Sequence, residues 1–138
     1  MVSVDHVADF LIRKLPAIRG WDRGMLKQWL RNRSDHGAIV TVVGNQGIRA
    51  VGIGVRCESA DMDDPWTPWN PLGNCFYFHQ VAAQDPEALA FLFVGAFQRE
   101  PELGRLRLYA FRHGRKRRLS SSALDRLFQN SKESKWET

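Results

Sequence analysis

Asp85-Pro-Glu-Ala-Leu-Ala-Phe-Leu-Phe-Val-Gly-Ala-Phe-Gln-Arg99 decides how the rest of the chain is read. Asp85 is a preferred N-cap, Pro86 suits the first helical position, where no amide is needed, and Glu87 favours the positive end of the helix dipole. From Ala88 to Phe97 no side chain is charged or strongly polar. A helix apolar on every side is normally buried rather than half-exposed. About ten residues are too few to cross a bilayer. The stretch therefore predicts a core helix, packed on a sheet and covered on its other side.

Upstream, Val4, Val7, Ala8, Leu11 and Ile12 follow the helical period and predict an amphipathic helix from Val4 to Lys14, ended by Leu15-Pro16. Asp22 caps a second helix through Met25, Leu26, Trp29 and Leu30, ending near Arg33. Ala38 to Val43 is a β-branched run read as a buried strand. Gly44-Asn-Gln-Gly47 is a hairpin turn, and Ile48 to Cys57 is the return strand. On that strand Val51, Ile53, Val55 and Cys57 share one face. Gly52 and Gly54 fall on the other, marking a bulge or a close approach by a ligand or backbone.

Asn74 to Val81 predicts a third strand, with Phe76 and Phe78 on one face and Cys75, Tyr77 and His79 on the other. Beyond the core helix, Arg105 to Arg112 predicts a fourth, with Leu106, Leu108 and Ala110 opposite Arg107, Tyr109 and Phe111. His113-Gly114 reads as a turn, Arg115 to Leu119 as a basic extension. Ser121 or Ser122 is placed to cap a last helix through Leu124, Leu127 and Phe128. The expected fold is α/β (α+β), with the order α-α-β-β-β-α-β-α around one mixed sheet and a buried central helix.

The chain has 138 residues, 43% hydrophobic and 25% charged, which suits one soluble globular domain over 1–130 with a flexible tail at 131–138. Its start lacks a basic segment followed by an apolar run, and no apolar run reaches membrane-spanning length. Cys57 and Cys75 have no metal-ligand spacing and read as reduced thiols. A cytoplasmic protein with no membrane partner is expected.

Chemistry is sparsely signalled. No nucleophile elbow, phosphate-binding glycine loop, zinc spacing or dinucleotide fingerprint is present. Glu58, Asp61, Asp63 and Asp64 lack the ordered ligand pattern of a calcium loop, so no metal site is expected. His79 and Tyr109 are the candidate proton-transfer groups, weighed against roles in packing.

In the long loop from Glu58 to Gly73, Trp66 and Trp69 have two open readings, a lid folded over the core or a contact surface for a partner. The formal net charge is +5. Its densest feature is the run of Arg112, Arg115, Lys116, Arg117 and Arg118, read either as a phosphate-gripping surface or as a solvated edge that resists pairing. It is also free to face the acidic loop.

With this order of elements the chain resembles the GNAT superfamily of acyl-CoA N-acyltransferases. The helix pair Val4–Arg33, the strands Ala38–Val81, the central helix Asp85–Arg99, the strand Leu106–Phe111 and the helix Ser121–Phe128 carry the likeness. The family's first strand and closing hairpin have no evident counterpart. The resemblance implies acetyl-CoA as cofactor, held at the junction before the central helix, where Val81, Ala83 and Gln84 become the candidate contacts. The family's loop there has the form Arg/Gln-x-x-Gly-x-Gly/Ala, whose amides cradle a pyrophosphate. With Gln84 in the first position, Glu87 and Leu89 replace the glycines, Pro86 removes an amide, and Asp85 and Glu87 add negative charge. The expectation is a trimmed GNAT-like domain without the usual coenzyme A chemistry, acting through a protein partner. Trimmed domains of this sort are frequent among phage and prophage proteins, which extends the expectation to a virion- or prophage-associated role. An acyltransferase with an atypical cofactor loop and a nucleic-acid binder using 112–118 are the alternatives.

Overall fold

The computed structural model describes residues 2–112, 115–120 and 122–126. The elements run α1 (Val4–Lys14), α2 (Arg23–His36), β1 (Ala38–Gly44), β2 (Gly47–Cys57), β3 (Cys75–Ala83), α3 (Pro86–Arg99), β4 (Arg107–Arg112) and β5 (Arg115–Arg118). All five strands form one mixed sheet in chain order. The α/β reading and the four expected strands hold.

The helices start where their caps dictate. Ser3 accepts from the His6 amide, Asp22 from Met25 and Asp85 from Ala88. β1 and β2 close on a two-residue turn between Gly44 and Gly47, and Gly47 takes a φ of 109° that disfavours any residue with a Cβ. Gly54 lies at a register shift in the β2–β3 ladder. A Cβ there would meet the Phe76 ring and come within 2.9 Å of the Tyr77 carbonyl oxygen. The close approach expected at Gly54 is therefore made by the protein's own ring and backbone, and that at Gly52 by the Leu92 side chain.

Each face of the sheet carries one layer of helix. On one side Val51 and Ile53 pack with Phe10 and Leu11 of α1 and with Leu26, Trp29 and Leu30 of α2. On the other, Ala50 meets Ala88 and Leu92, and Phe76 and Phe78 meet Phe93 and Ala96 of α3.

Four details differ from expectation. α3 is not enclosed: Ala88, Ala90, Leu92, Phe93 and Ala96 are buried, while Leu89, Phe91, Val94 and Phe97 are only half-buried, because nothing among the described residues lies over its outer side. α2 continues through His36, since Gly37 and not Arg33 ends it. The chain does close on a hairpin, β4 pairing antiparallel with β5. Ser120, rather than Ser122, caps the helical turn at 122–126 by accepting from Ala123, while Ser121 lies outside the described residues. The turn expected at His113-Gly114, the helix end at Leu127 and Phe128 and the tail at 131–138 lie outside the described residues.

One feature of the topology positions the site. β3 and β4 run parallel, joined by the α3 crossover, and pair only from Cys75 with Arg107 to Phe78 with Ala110. β3 goes on to Ala83 against β2 alone, while β4 goes on into the hairpin with β5. The two strands part after Phe78, and His79 is the first β3 residue past the split.

Candidate functional site

A cleft of about 450 Å³ opens at this split, on the α1–α2 side of the sheet. Its walls come from four places: Trp21 and Trp29 around α2, Met62, Asp63 and Pro65 of the long loop, Tyr77, His79 and Gln80 of β3, and Phe111, Arg115 and Lys116 of the hairpin. Alternation along β3 puts Tyr77 and His79 on this face. Cross-strand pairing puts Lys116 beside Phe111 on the same side. Trp29 projects from α2 into the core, and its indole N–H donates to the Pro65 carbonyl at 2.7 Å, tying the loop to the cleft wall.

His79 is 6% exposed and ringed by aromatics, Tyr77 at 5.0 Å and Trp29 at 5.8 Å between ring centres. Its Nε2 lies 3.5 Å from Nη1 of Arg33. A guanidinium only donates, so Nε2 is the acceptor and the ring proton sits on Nδ1. Burial pushes the imidazole pKa down to about 4, the Arg33 charge adding to this against an opposing effect of Asp64. The ring is therefore neutral at physiological pH.

Arg33 itself is wholly buried. It donates to the Thr67 carbonyl at 2.8 Å and to the Asn32 side-chain oxygen at 2.6 and 3.1 Å, yet no carboxylate pairs with it among the described residues. Burial lowers its pKa, partly offset by Asp64. Arg33 was not singled out in the sequence, although the signal was present. It stands at helical spacing from Leu26, Trp29 and Leu30, on the stripe that faces the core.

The sequence candidates separate in space. His79, Arg115 and Lys116 converge on the cleft. Tyr109 lies beside Tyr77 in the parallel register and packs against the same cluster, outside the cleft lining. Trp69 folds onto Phe76 at 5.8 Å, as a lid does, whereas Trp66 stays 42% exposed. The two tryptophans therefore form no shared surface. Lys116 pairs with Asp63 at 2.5 Å, so the basic run does meet the acidic loop. Arg118 shares a face with Tyr109, but Arg117 lies opposite Ala110 on the α3 side, so the run divides between both faces of the sheet. The side chain of Arg112 lies outside the described residues.

Val81, Ala83 and Gln84 sit apart from the cleft, at the start of α3. Val81 and Ala83 pack with Leu89 and Leu92. Three backbone donors here are already engaged. The Gln84 amide donates to the Arg49 carbonyl, the Ala88 amide to Asp85 Oδ1 at 2.7 Å, and the Leu89 amide to the Asp85 carbonyl. Arg49 reaches Asp85 at 3.3 Å and Glu87 at 3.7 Å. The backbone hydrogen bond from Ala88 is the main reason the Asp85 carboxyl titrates below its usual range. An arriving pyrophosphate would meet two carboxylates and a proline, a donor set that does not fit it.

No cluster of metal-ligating side chains is found among the described residues, and no helix among them is long and apolar enough to cross a membrane. By its fold the chain is an α+β protein built on one five-stranded mixed sheet. No family model matches it, and no curated protein or solved structure is significantly similar to it.

Proposed function

We propose that this is a GNAT-like binding module that engages a protein partner and does not use acetyl-CoA in the manner of that superfamily. The α3 N-terminus carries this reading: the Ala88 amide is taken by the Asp85 side chain, and Arg49 is held between Asp85 and Glu87. Partner contact falls to an exposed set of groups, the indole of Trp66 and, on the two faces of β5, the cations Arg117 and Arg118. An acidic protein surface complements it.

Two measurements test this. Acetyl-CoA is expected to leave the melting temperature unchanged, whereas a ligand at a hundred times its Kd stabilises by about 2.7 kcal/mol. A clear upward shift at sub-millimolar acetyl-CoA would restore the acyltransferase. Capture of an acidic protein is expected to be lost in Trp66→Ala and in the double variant Arg117→Ala, Arg118→Ala. Capture that survives both changes overturns the proposed surface.

Nucleic acid is the second reading, favoured by the exposure of every side chain from Arg115 to Arg118. The division of these charges between two faces favours weak binding without sequence preference. Labelled DNA and RNA titrated at two salt concentrations distinguish the two readings. Tight, salt-sensitive binding abolished by changing all four residues to Ala would establish the nucleic-acid role.

A further inference from the structure

We propose that the cleft between β3 and the β4–β5 hairpin binds an aromatic carboxylate, a planar ring held among Trp21, Trp29, Tyr77 and Phe111 with its acid group toward Lys116 and His79. Three independent features converge on this chemistry.

The first is the cleft's shape and lining. A volume of about 450 Å³ holds a small organic ligand, and four aromatic side chains supply flat apolar walls. The second is an unused donor. The Nε2 of His79 faces Arg33, and no partner for Nδ1 exists among the described residues. No buried side-chain nitrogen or oxygen among them lacks a partner, so Nδ1 must open onto the cleft that His79 lines. A neutral histidine held in this tautomer offers one N–H, and a carboxylate oxygen accepts it.

The third is charge. Arg115 and Lys116 line the mouth, Asp63 is the one acid in the lining, and the unpaired Arg33 stands behind His79. With Asp64, whose charge reaches both Arg33 and His79, two acids stand against three cations and the balance is still positive. The Asp63 carboxylate, whose side chain is 83% exposed, already sits on Lys116 Nζ. It marks where a ligand carboxylate belongs, and an exposed ion pair of this kind is worth at most about 1 kcal/mol, so a ligand displaces it readily. Trp21 completes the wall by packing edge-on against Trp29 at 5.6 Å.

A free aromatic acid and the C-terminal aromatic residue of a peptide share this chemistry. The cleft's ligand is independent of the partner proposed above: a chain that captures no protein would still bind the acid, and one that binds no acid would still present Trp66 and Arg117.

The test titrates the full chain with phenylacetate, indole-3-acetate and a short peptide ending in Phe, each against its neutral amide, following tryptophan fluorescence and the indole N–H signals of Trp21 and Trp29. Saturable binding is expected, with each amide weaker by about tenfold, the loss of one charged hydrogen bond. Preference for the free acids or for the peptide identifies the source. Lys116→Ala is expected to weaken binding, and Asp63→Asn to strengthen it by freeing Lys116. Both positions are on the surface, so neither change threatens folding. Equal affinity for acid and amide, or affinity unmoved by both substitutions, overturns the proposal, as does an absence of response at millimolar ligand.

Discussion

Protonating His79 should destabilise the protein from within, and the size of the effect follows from its surroundings. The ring is 6% exposed, enclosed by Trp29 and Tyr77, and faces the buried Arg33. Burial, reinforced by the Arg33 charge, lowers its pKa from 6.5 to about 4. In the unfolded chain the ring titrates near 6.5. Between about pH 6.5 and pH 4 the unfolded state binds the extra proton, so stability falls as the pH falls through this window and levels off below about pH 4. At about 1.4 kcal/mol per pH unit the loss is about 3 kcal/mol, a large fraction of the usual 5–15 kcal/mol for a domain, on general grounds. Carboxylates such as Asp85 also lose native interactions in acid, so the wild-type curve alone does not isolate the histidine. The assay is urea unfolding from pH 7.5 to pH 4 for wild type and His79→Phe. The variant has no imidazole to charge, so its curve should be flatter by about 3 kcal/mol over that window. Histidine ring signals followed by NMR give the site directly, and His79 should stay neutral down to pH 5. Parallel loss of stability in the two proteins, or a ring that titrates near 6.5, would refute the reasoning.

Gly54→Ala should destabilise by about 1–3 kcal/mol, the usual cost of overpacking, because the added carbon meets the Phe76 ring and the Tyr77 carbonyl. Gly52→Ala, which presses only on the movable end of Leu92 at 3.1 Å, should cost less; a reversed order in denaturant midpoints would contradict the packing. Asp85→Ala removes the α3 cap and should cost about 1 kcal/mol, measured by the same unfolding curves, with Asp85→Asn recovering most of it. Cys57 and Cys75 face each other at 4.0 Å between sulfurs, and burial pushes the Cys57 thiol up to about 12. Alkylation of both should therefore wait on unfolding, and rapid labelling of the native protein would show the pair to be open.

The strands and helices were legible because their signals are local. β-branched runs, the turn at Gly44–Gly47 and the caps at Asp22 and Asp85 each depend on neighbours within a few residues. The outer face of α3 was misread for an instructive reason. Ala88, Leu92 and Ala96 recur every fourth residue and mark the face that lies on the sheet. The phenylalanines between them made the helix look apolar all round, yet Phe91 is only half-buried. Composition reports hydrophobicity, while the placement of small residues reports which face approaches another backbone closely.

The cleft was illegible for a different reason. It is assembled by contacts that span 36 residues between Trp29 and Pro65, 46 between Arg33 and His79, and 53 between Asp63 and Lys116. No local pattern encodes those distances. His79 was visible only as an isolated histidine on a strand, Lys116 only as one cation in a run. What unites them is the parting of β3 and β4 after Phe78. That split follows from the crossover: β3 stays with β2 to reach α3, while β4 leaves to form the hairpin. A mixed sheet whose parallel pair is this short opens a cleft at the split, and the side chains that line it are set by strand alternation. The candidate site is thus a product of topology first and residue type second. A sequence without a motif can still carry a site where its topology brings unpaired donors and aromatic walls together.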